Sequence, residues 1–386
     1  MEERLIVPSP HELPSVQALC DLRQPYQQNL QTQECFINAM KESLIWHEKR
    51  STFFKDLLSQ ENFSSLDLRN EESLKHLPYV HAYFFKRHEI LSMPKEDVYL
   101  HLTSSGTTGQ KSQIYFDEWS IKSAQRMVDD IFTHYDWQTD KKANYLLFTY
   151  GPSDGSRLGT AYTDNFLCKY APVGKVKYAL EYVGDGEHRF DLFGCVRALQ
   201  DFEEEGIPVR IFGFPSFFYF VLDFLKKRNM RPFKLHPESL VFLGGGWKGH
   251  QNEAIAKNEF YALVTEYLGI PDVRLRDGFG SVEHCIPYIE CANHNFHVPV
   301  WSRVLIRSVQ DLELVEFGQP GYLQFISPYI TSVPAISVLM GDLARLWPGS
   351  HCQCGLSTPY FEILGRAGTS KNRSCAVAAS ELLKNY

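Results

Sequence analysis

Ten consecutive residues, Thr103-Ser104-Ser105-Gly106-Thr107-Thr108-Gly109-Gln110-Lys111-Ser112, offer a run of hydroxyls and small backbone positions beside a cation. Glycines let the main chain approach a phosphate closely, and successive amide and hydroxyl donors make an anion-binding nest. Lys111 adds a mobile positive charge for phosphates. A Walker loop demands glycine immediately before its lysine, and Gln110 stands there, so an ordinary P-loop nucleotidase is disfavoured. A second glycine run, Gly244-Gly245-Gly246-Trp247-Lys248, permits close approach of adenine or substrate around Gly245.

Two nucleophiles compete for attention. Cys375 follows Lys371 and Arg373 and opens an alanine-rich, helix-prone run with Ser374 as its N-cap. Nearby cations and a helix N-terminus both favour the reactive thiolate. Gly151-Pro152-Ser153-Asp154-Gly155 fits the nucleophile elbow of serine hydrolases and follows a predicted strand, which keeps a serine acyl-hydrolase or acyltransferase using Ser153 as a rival class. Pro152 fits the strained elbow poorly, and no later Asp…His pair stands out. A separate constellation, Cys291 with His297 and then Cys352-x-Cys354, brings three soft thiolates and one imidazole in two pairs, which suits a closed tetrahedral structural zinc. His294 or Cys285 could replace one ligand.

These side chains need a scaffold. Residues 1–97 read as largely helical. From Asp97 onward short apolar strands (98–102, 144–150, 177–183, 209–212, 240–243, 273–275) alternate with helical stretches near 119–132, 192–204, 217–227 and 253–268, which predicts a mainly parallel α/β sheet. After Trp301 the pattern becomes strand-rich with turn residues at Gly318, Pro320-Gly321 and Pro348-Gly349, predicting a β-rich second subdomain. The expected division is 1–97, 98–300, 301–366 and a short tail, 367–386. The aromatic run Phe212 to Phe220 reads mainly as core at a strand-to-helix junction.

Composition narrows the classes. The 386 residues carry a net charge of −7, which argues against a nucleic-acid footprint. The most apolar stretch, 211–225, is interrupted by Gly213, Pro215 and Asp223 and cannot span a bilayer. Nine cysteines without a signal-type N-terminus point to a reducing, cytoplasmic setting.

The Thr103–Ser112 loop resembles the phosphate-binding signature of the acyl-adenylate-forming superfamily. Further matches follow in family order. Gly278-Phe279-Gly280-Ser281-Val282-Glu283 is similar to the aromatic-Gly-x-Thr-Glu motif, with Val282 in place of Thr. Gly341-Asp342 and Gly365-Arg366 are similar to the segments that close the nucleotide site. The resemblance implies ATP and Mg²⁺ as cofactors, Phe279 and Gly280 near adenine, Glu283 on the metal, Asp342 on the ribose hydroxyls and Arg366 near ribose and phosphate. A closer resemblance, carried by Ser105 to Gln113, Gly244 to Lys248, Arg276 to Phe279, His297 to Trp301 and Lys371 to Ala376, is to acyl-protein synthetases of the bacterial bioluminescence fatty-acid reductase type. It implies ATP-dependent activation of a fatty acid, acyl transfer to Cys375 and delivery to a partner acyl reductase. An acyl- or aryl-CoA ligase is the alternative, although only twenty residues follow Arg366, where coenzyme A ligases carry a mobile C-terminal domain. The Cys/His spacing also resembles a zinc-bearing subgroup near phenylacetate-CoA ligase.

Overall fold

Local sequence rules set the first elements of the computed structural model, which describes residues 4–103, 113–151, 167–185, 187–247 and 250–366. Helices form over Pro14–Cys20, Leu30–Arg50 and Thr52–Gln60. Asn29 caps the second: its side chain accepts from the Thr32 amide, while the Thr32 hydroxyl accepts from the Asn29 amide. This reciprocal pairing satisfies two orphan donors. Ser51, in extended backbone, ends that helix and caps the next through the Phe54 amide. Three short strands follow, β1 (Val80–His81), β2 (Leu100–Thr103) and β3 (Gln113–Phe116), and then the amphipathic helix Glu118–His134.

The stretch 135–279 forms one of two compact units. It contains β4 (Ala143–Tyr150), β5 (Val173–Gly184), β6 (Glu187–Phe190), β7 (Val209–Gly213), β8 (Leu240–Gly244) and β9 (Leu275–Phe279). They lie in the order β9-β8-β7-β4-β5-β6, parallel throughout except for the β5–β6 hairpin. Every residue of β7 is buried, and so is β4 up to its last residue. Near-continuous apolar strands of this kind belong to a parallel sheet covered on both faces. The helices Leu192–Glu205, Pro215–Lys227 and Lys257–Leu268 pack Leu199, Phe218, Leu222 and Val264 against Phe148, Ile211 and Val241. β4 is flanked by β5 on one side and β7 on the other, so the strand order reverses there, and crevices at such switch points take ligands.

The other unit joins residues up to His134 with Gly280 onward. After β10 (Tyr288–Ile289) come β11 (Phe296–His297), β12 (Arg303–Arg307), β13 (Pro320–Ile326), β14 (Ser337–Trp347) and β15 (Tyr360–Arg366). They make an antiparallel sheet, β11-β15-β14-β13-β12, to which β1 adds in parallel against β14. Trp301, Tyr329 and Phe325 fill its core.

Three details depart from the sequence expectation. The strand at 98–102 does not lead the parallel sheet; β2 pairs antiparallel with β3, bringing Thr103 opposite Gln113. Residues Asp272–Arg274 form a single helical turn, because Pro271 starts it and accepts from the Arg274 amide, and the strand begins only at Leu275. The helix expected from 253 starts at Lys257, after a separate turn over Gln251–Glu253. The two units interleave along the chain. No helix among the described residues is long and apolar enough to cross a membrane.

Candidate active site

The motif residues fall on strand ends and turns that the sheets fix. Gly244 and Gly278 are register partners at the carboxyl ends of β8 and β9, which places Gly245 and Phe279 side by side at that rim. Gly245 sits at φ +76, a conformation that glycine adopts without a Cβ penalty. Loop residues Ser104, Ser105, Gly106, Thr107, Thr108, Gly109 and Lys111 lie outside the described residues, as do Ser153 and Cys375. What is described is their frame: Thr103 and Gln113 face one another across the β2–β3 ladder.

In the unit that begins again at Gly280, a tight turn carries Glu283. The Ser281 carbonyl accepts from the Cys285 amide at 2.7 Å, and Cys285 takes φ +52. The Ser281 hydroxyl reaches the Met340 sulfur on β14 at 4.0 Å, which ties this turn to the strand that bears Asp342. His284 locks the turn from below: it is buried, stacks on Phe325 at 4.5 Å, and its Nε2 lies 2.9 Å from the Tyr288 hydroxyl. Burial holds its imidazole down to about 3, so the ring is neutral.

Asp342 on β14 stands opposite Arg366 on β15. Burial pushes the Asp342 carboxyl above its ordinary range; the positive charge of Arg366 counters that, Glu283 adds to it, and Lys86 counters it again. Three residues chosen from sequence, Glu283, Asp342 and Arg366, therefore meet in one electrostatic cluster. Lys86 completes it and was not legible beforehand, since a lysine after Phe84-Phe85 carries no motif. Glu283 is only 4% exposed. Among the described residues neither its carboxylate nor that of Asp342 has a side-chain hydrogen bond or a direct ion pair. Carboxylate oxygens left free in this way, one buried and one half-buried, fit a cation and a pair of hydroxyls, which a Mg²⁺-nucleotide presents.

The second constellation also assembles. The ligand atoms of Cys291, His297, Cys352 and Cys354 lie within 4.8 Å of one another. Cys291 and Cys352 bring their sulfurs to 3.4 Å, and the Cys354 sulfur is 3.2 Å from His297 Nε2. His297 Nδ1 sits 2.7 Å from the Thr358 carbonyl, which can only accept, so Nδ1 carries the proton and Nε2 turns its lone pair toward the sulfurs. The Asn295 side-chain amide donates to the Cys352 sulfur at 3.1 Å and the Asn293 amide to Cys291 at 3.4 Å. Burial raises the Cys291 and Cys354 thiols. The alternatives fall elsewhere: His294 lies 3.4 Å from the Glu290 carboxylate, and Cys285 packs in the Glu283 turn, where its carbonyl accepts from Tyr329. The four residues form a set able to hold a metal ion.

A parallel sheet reversing at its central strand, joined to an antiparallel sheet that presents an Asp–Arg pair, is the fold of acyl-adenylate-forming ligases. The chain is similar to 2-hydroxyisobutyryl-CoA ligase in its open conformation with 2-HIB-AMP and CoA (TM-score 0.66, 12% identity, 91% of this chain and 80% of that one). It is equally similar to that enzyme in its thioesterification state (TM-score 0.66, 14% identity, 95% and 73%). The family description "Acyl-protein synthetase, LuxE" matches residues 18–384, and the chain belongs to that family. Curated relatives include the long-chain-fatty-acid–luciferin-component ligases of Aliivibrio fischeri (24% identity over 358 residues, 89% of this chain and 88% of the relative) and Vibrio harveyi (23% over 319 residues, 80% and 79%).

Proposed function

We propose that this acyl-protein synthetase activates a long-chain fatty acid with ATP and carries the acyl group on Cys375 to a partner acyl reductase. The observation that carries the reading is the convergence of Glu283, Asp342 and Arg366, 59 and 24 residues apart in sequence, on one cluster whose carboxylates have no side-chain hydrogen bond or direct ion pair among the described residues. A carboxylate is a poor electrophile. Its oxygen attacks the α-phosphorus of ATP, the bond to pyrophosphate breaks, and the acid becomes a mixed anhydride whose leaving group is AMP. Such chemistry needs positioned charge more than a base. Glu283 would hold Mg²⁺, which neutralises the phosphates. Asp342 orients the ribose, Arg366 binds ribose and phosphate, and the Thr103–Ser112 loop with Lys111 cradles the remaining phosphates. The Cys375 thiolate then attacks the acyl carbon and the carbon–oxygen bond to AMP breaks. A thiol of the partner takes the acyl group by exchange, leaving Cys375 as a thiol.

The Cys291, His297, Cys352 and Cys354 set would hold a structural zinc, with no open position for substrate. All eight described cysteines are free, which suits a reducing cytoplasm. One assay tests the main reading: wild type and Cys375→Ser are given ATP and a radiolabelled long-chain fatty acid, following acid-dependent pyrophosphate exchange and label on protein. Exchange in both with label only on wild type is the expected result. Label retained by Cys375→Ser refutes the tail assignment, and soluble acyl-CoA formed with Cys375 dispensable establishes the CoA-ligase alternative.

A further inference from the structure

Strand register brings a fourth side chain to the nucleotide cluster. At residues 338 and 339, β14 has β13 on one flank, with Phe325 and Gln324 opposite, so β1 occupies the other flank, with Val80 and His81 opposite the same two positions. Further along that second flank β15 takes over, with Arg366 opposite Asp342. β1 runs parallel to β14 and β15 antiparallel, so the two chains approach each other along one edge and meet beside Gly341 and Asp342. The Ala82 amide still donates to the Leu339 carbonyl at 2.9 Å. The chain then leaves the edge in the turn Phe84–Lys86, anchored by Phe85 at 1% exposure. Lys86 is thereby carried past the end of that edge, within the electrostatic reach of Arg366, Asp342 and Glu283.

Its surroundings point to a ligand. The Lys86 stem is half-buried, and burial pulls the ammonium below its ordinary range, with Arg366 acting in the same direction and Glu283 and Asp342 opposing. Among the described residues that ammonium has no hydrogen-bond or ion-pair partner; its nearest aromatic neighbour is the Tyr83 ring, 5.8 Å away. A half-buried cation kept out of contact with both carboxylates, while its field acts on both, has its three donors left for something else.

We infer that Lys86 is a substrate-contacting cation of the adenylation step, its ammonium binding the α-phosphate of ATP where the acid's carboxylate arrives. The inference rests on the proposed acid-activating function. With the ribose on Asp342 and the metal on Glu283, a cation coupled to both carboxylates sits between ribose and the terminal phosphates, which is the position of the α-phosphate. The two reacting groups are both anionic. Lys86 screens their repulsion and the charge that builds as the new oxygen–phosphorus bond forms and the bond to pyrophosphate breaks, and it keeps its proton throughout.

The test uses full-length Lys86→Ala, Lys86→Met and Lys86→Arg in acid-dependent ATP–pyrophosphate exchange with a long-chain fatty acid. Methionine keeps the buried stem and removes only the charge. Loss of about 10²–10³-fold in kcat is expected for Ala and Met. The KM for ATP should move by less than about 10-fold, with partial recovery in Arg and unchanged thermal melting in Met. A folded Lys86→Met with exchange within about threefold of wild type overturns the inference alone. Wild type without exchange on any fatty acid overturns the acid-activating function and this inference with it.

Discussion

Stripping metal from the cysteine–histidine cluster should loosen the unit that holds it. A zinc tetrahedron with Zn–S near 2.3 Å and Zn–N near 2.0 Å has S···S edges of about 3.8 Å and S···N edges of about 3.5 Å. The observed separations, 3.4 Å between Cys291 and Cys352 and 3.2 Å between Cys354 and His297 Nε2, differ from those edges by only a few tenths of an ångström. The ligands are preorganised, and His297 already holds the tautomer that presents Nε2. Free zinc at roughly a thousandfold its Kd then stabilises the folded state by about 4 kcal/mol. For a unit of this size that corresponds to about 10 °C of melting temperature. The assay is metal analysis of protein purified from zinc-supplemented cells, followed by melting with and without a strong chelator. Cys354→Ala separates ligation from packing: as a half-buried thiol its loss costs under about 1 kcal/mol, whereas as a ligand it forfeits most of the zinc contribution. Protein with under about 0.1 zinc per chain and an unchanged melt would refute the metal argument, as would a Cys291–Cys352 disulfide in the native protein.

The cluster around Asp342 makes a kinetic prediction: Glu283→Gln keeps shape but removes a buried charge, and should cut pyrophosphate exchange by about 10²-fold or more while raising the Mg²⁺ requirement. Asp342→Asn should act mainly through the KM for ATP, measured in the same exchange assay. Gly213 has φ +118, and a Cβ there would lie 2.4 Å from the Phe148 carbonyl oxygen, so Gly213→Ala should cost about 3 kcal/mol or more in urea unfolding. Gly206, at φ +66 with open space around it, gives the contrast, with Gly206→Ala costing about 1 kcal/mol. Arg50 holds the Glu12 carboxyl down to about 2, against an ordinary 4.5, by a 2.7 Å ion pair. A depressed folded value stabilises above the unfolded pKa and loses that gain as pH falls toward 2. The melting difference between wild type and Glu12→Gln should therefore be flat above about pH 5 and shrink below it, amounting to under about 1 kcal/mol for so exposed a pair.

Sequence patterns exposed the α/β layer because buried parallel strands must be largely apolar on both faces, as Tyr145–Phe148 and Ile211–Phe212 are. They also exposed Glu283, Asp342 and Arg366, through short flanking motifs. What they could not expose is which residues a sheet edge brings together. Lys86 reaches the cluster only because β1 fills the flank of β14 that β15 leaves vacant, a register fact with no local signature. The cysteine–histidine cluster shows the same limit at shorter range. His294 and His297 are equivalent by spacing. In the fold His294 takes φ +59 and turns toward Glu290, while His297 is fixed in β11 against Tyr360. The early antiparallel ladder has no signature of its own, because five apolar-rich residues look alike in a hairpin and in a parallel sheet.

The position of Arg366 bears on how the acyl group finds its acceptor. Arg366 is the last residue of β15 and belongs to the charge cluster through Asp342. Cys375 follows nine residues later. Nine residues span at most about 30 Å when extended, so in the proposed cycle the thiol is tethered to the wall of the site where the adenylate forms. A short tether of this kind gives an effective concentration near the millimolar range, which no free thiol acceptor need match. Selectivity for the internal sulfur over water or a soluble thiol then comes from attachment, and the cluster itself has only to make the acid electrophilic. That division of labour is consistent with a site whose described side chains supply charge: two carboxylates, Arg366 and Lys86 act on one another there, and the only imidazole in the turn, His284, is held neutral and turned to the core.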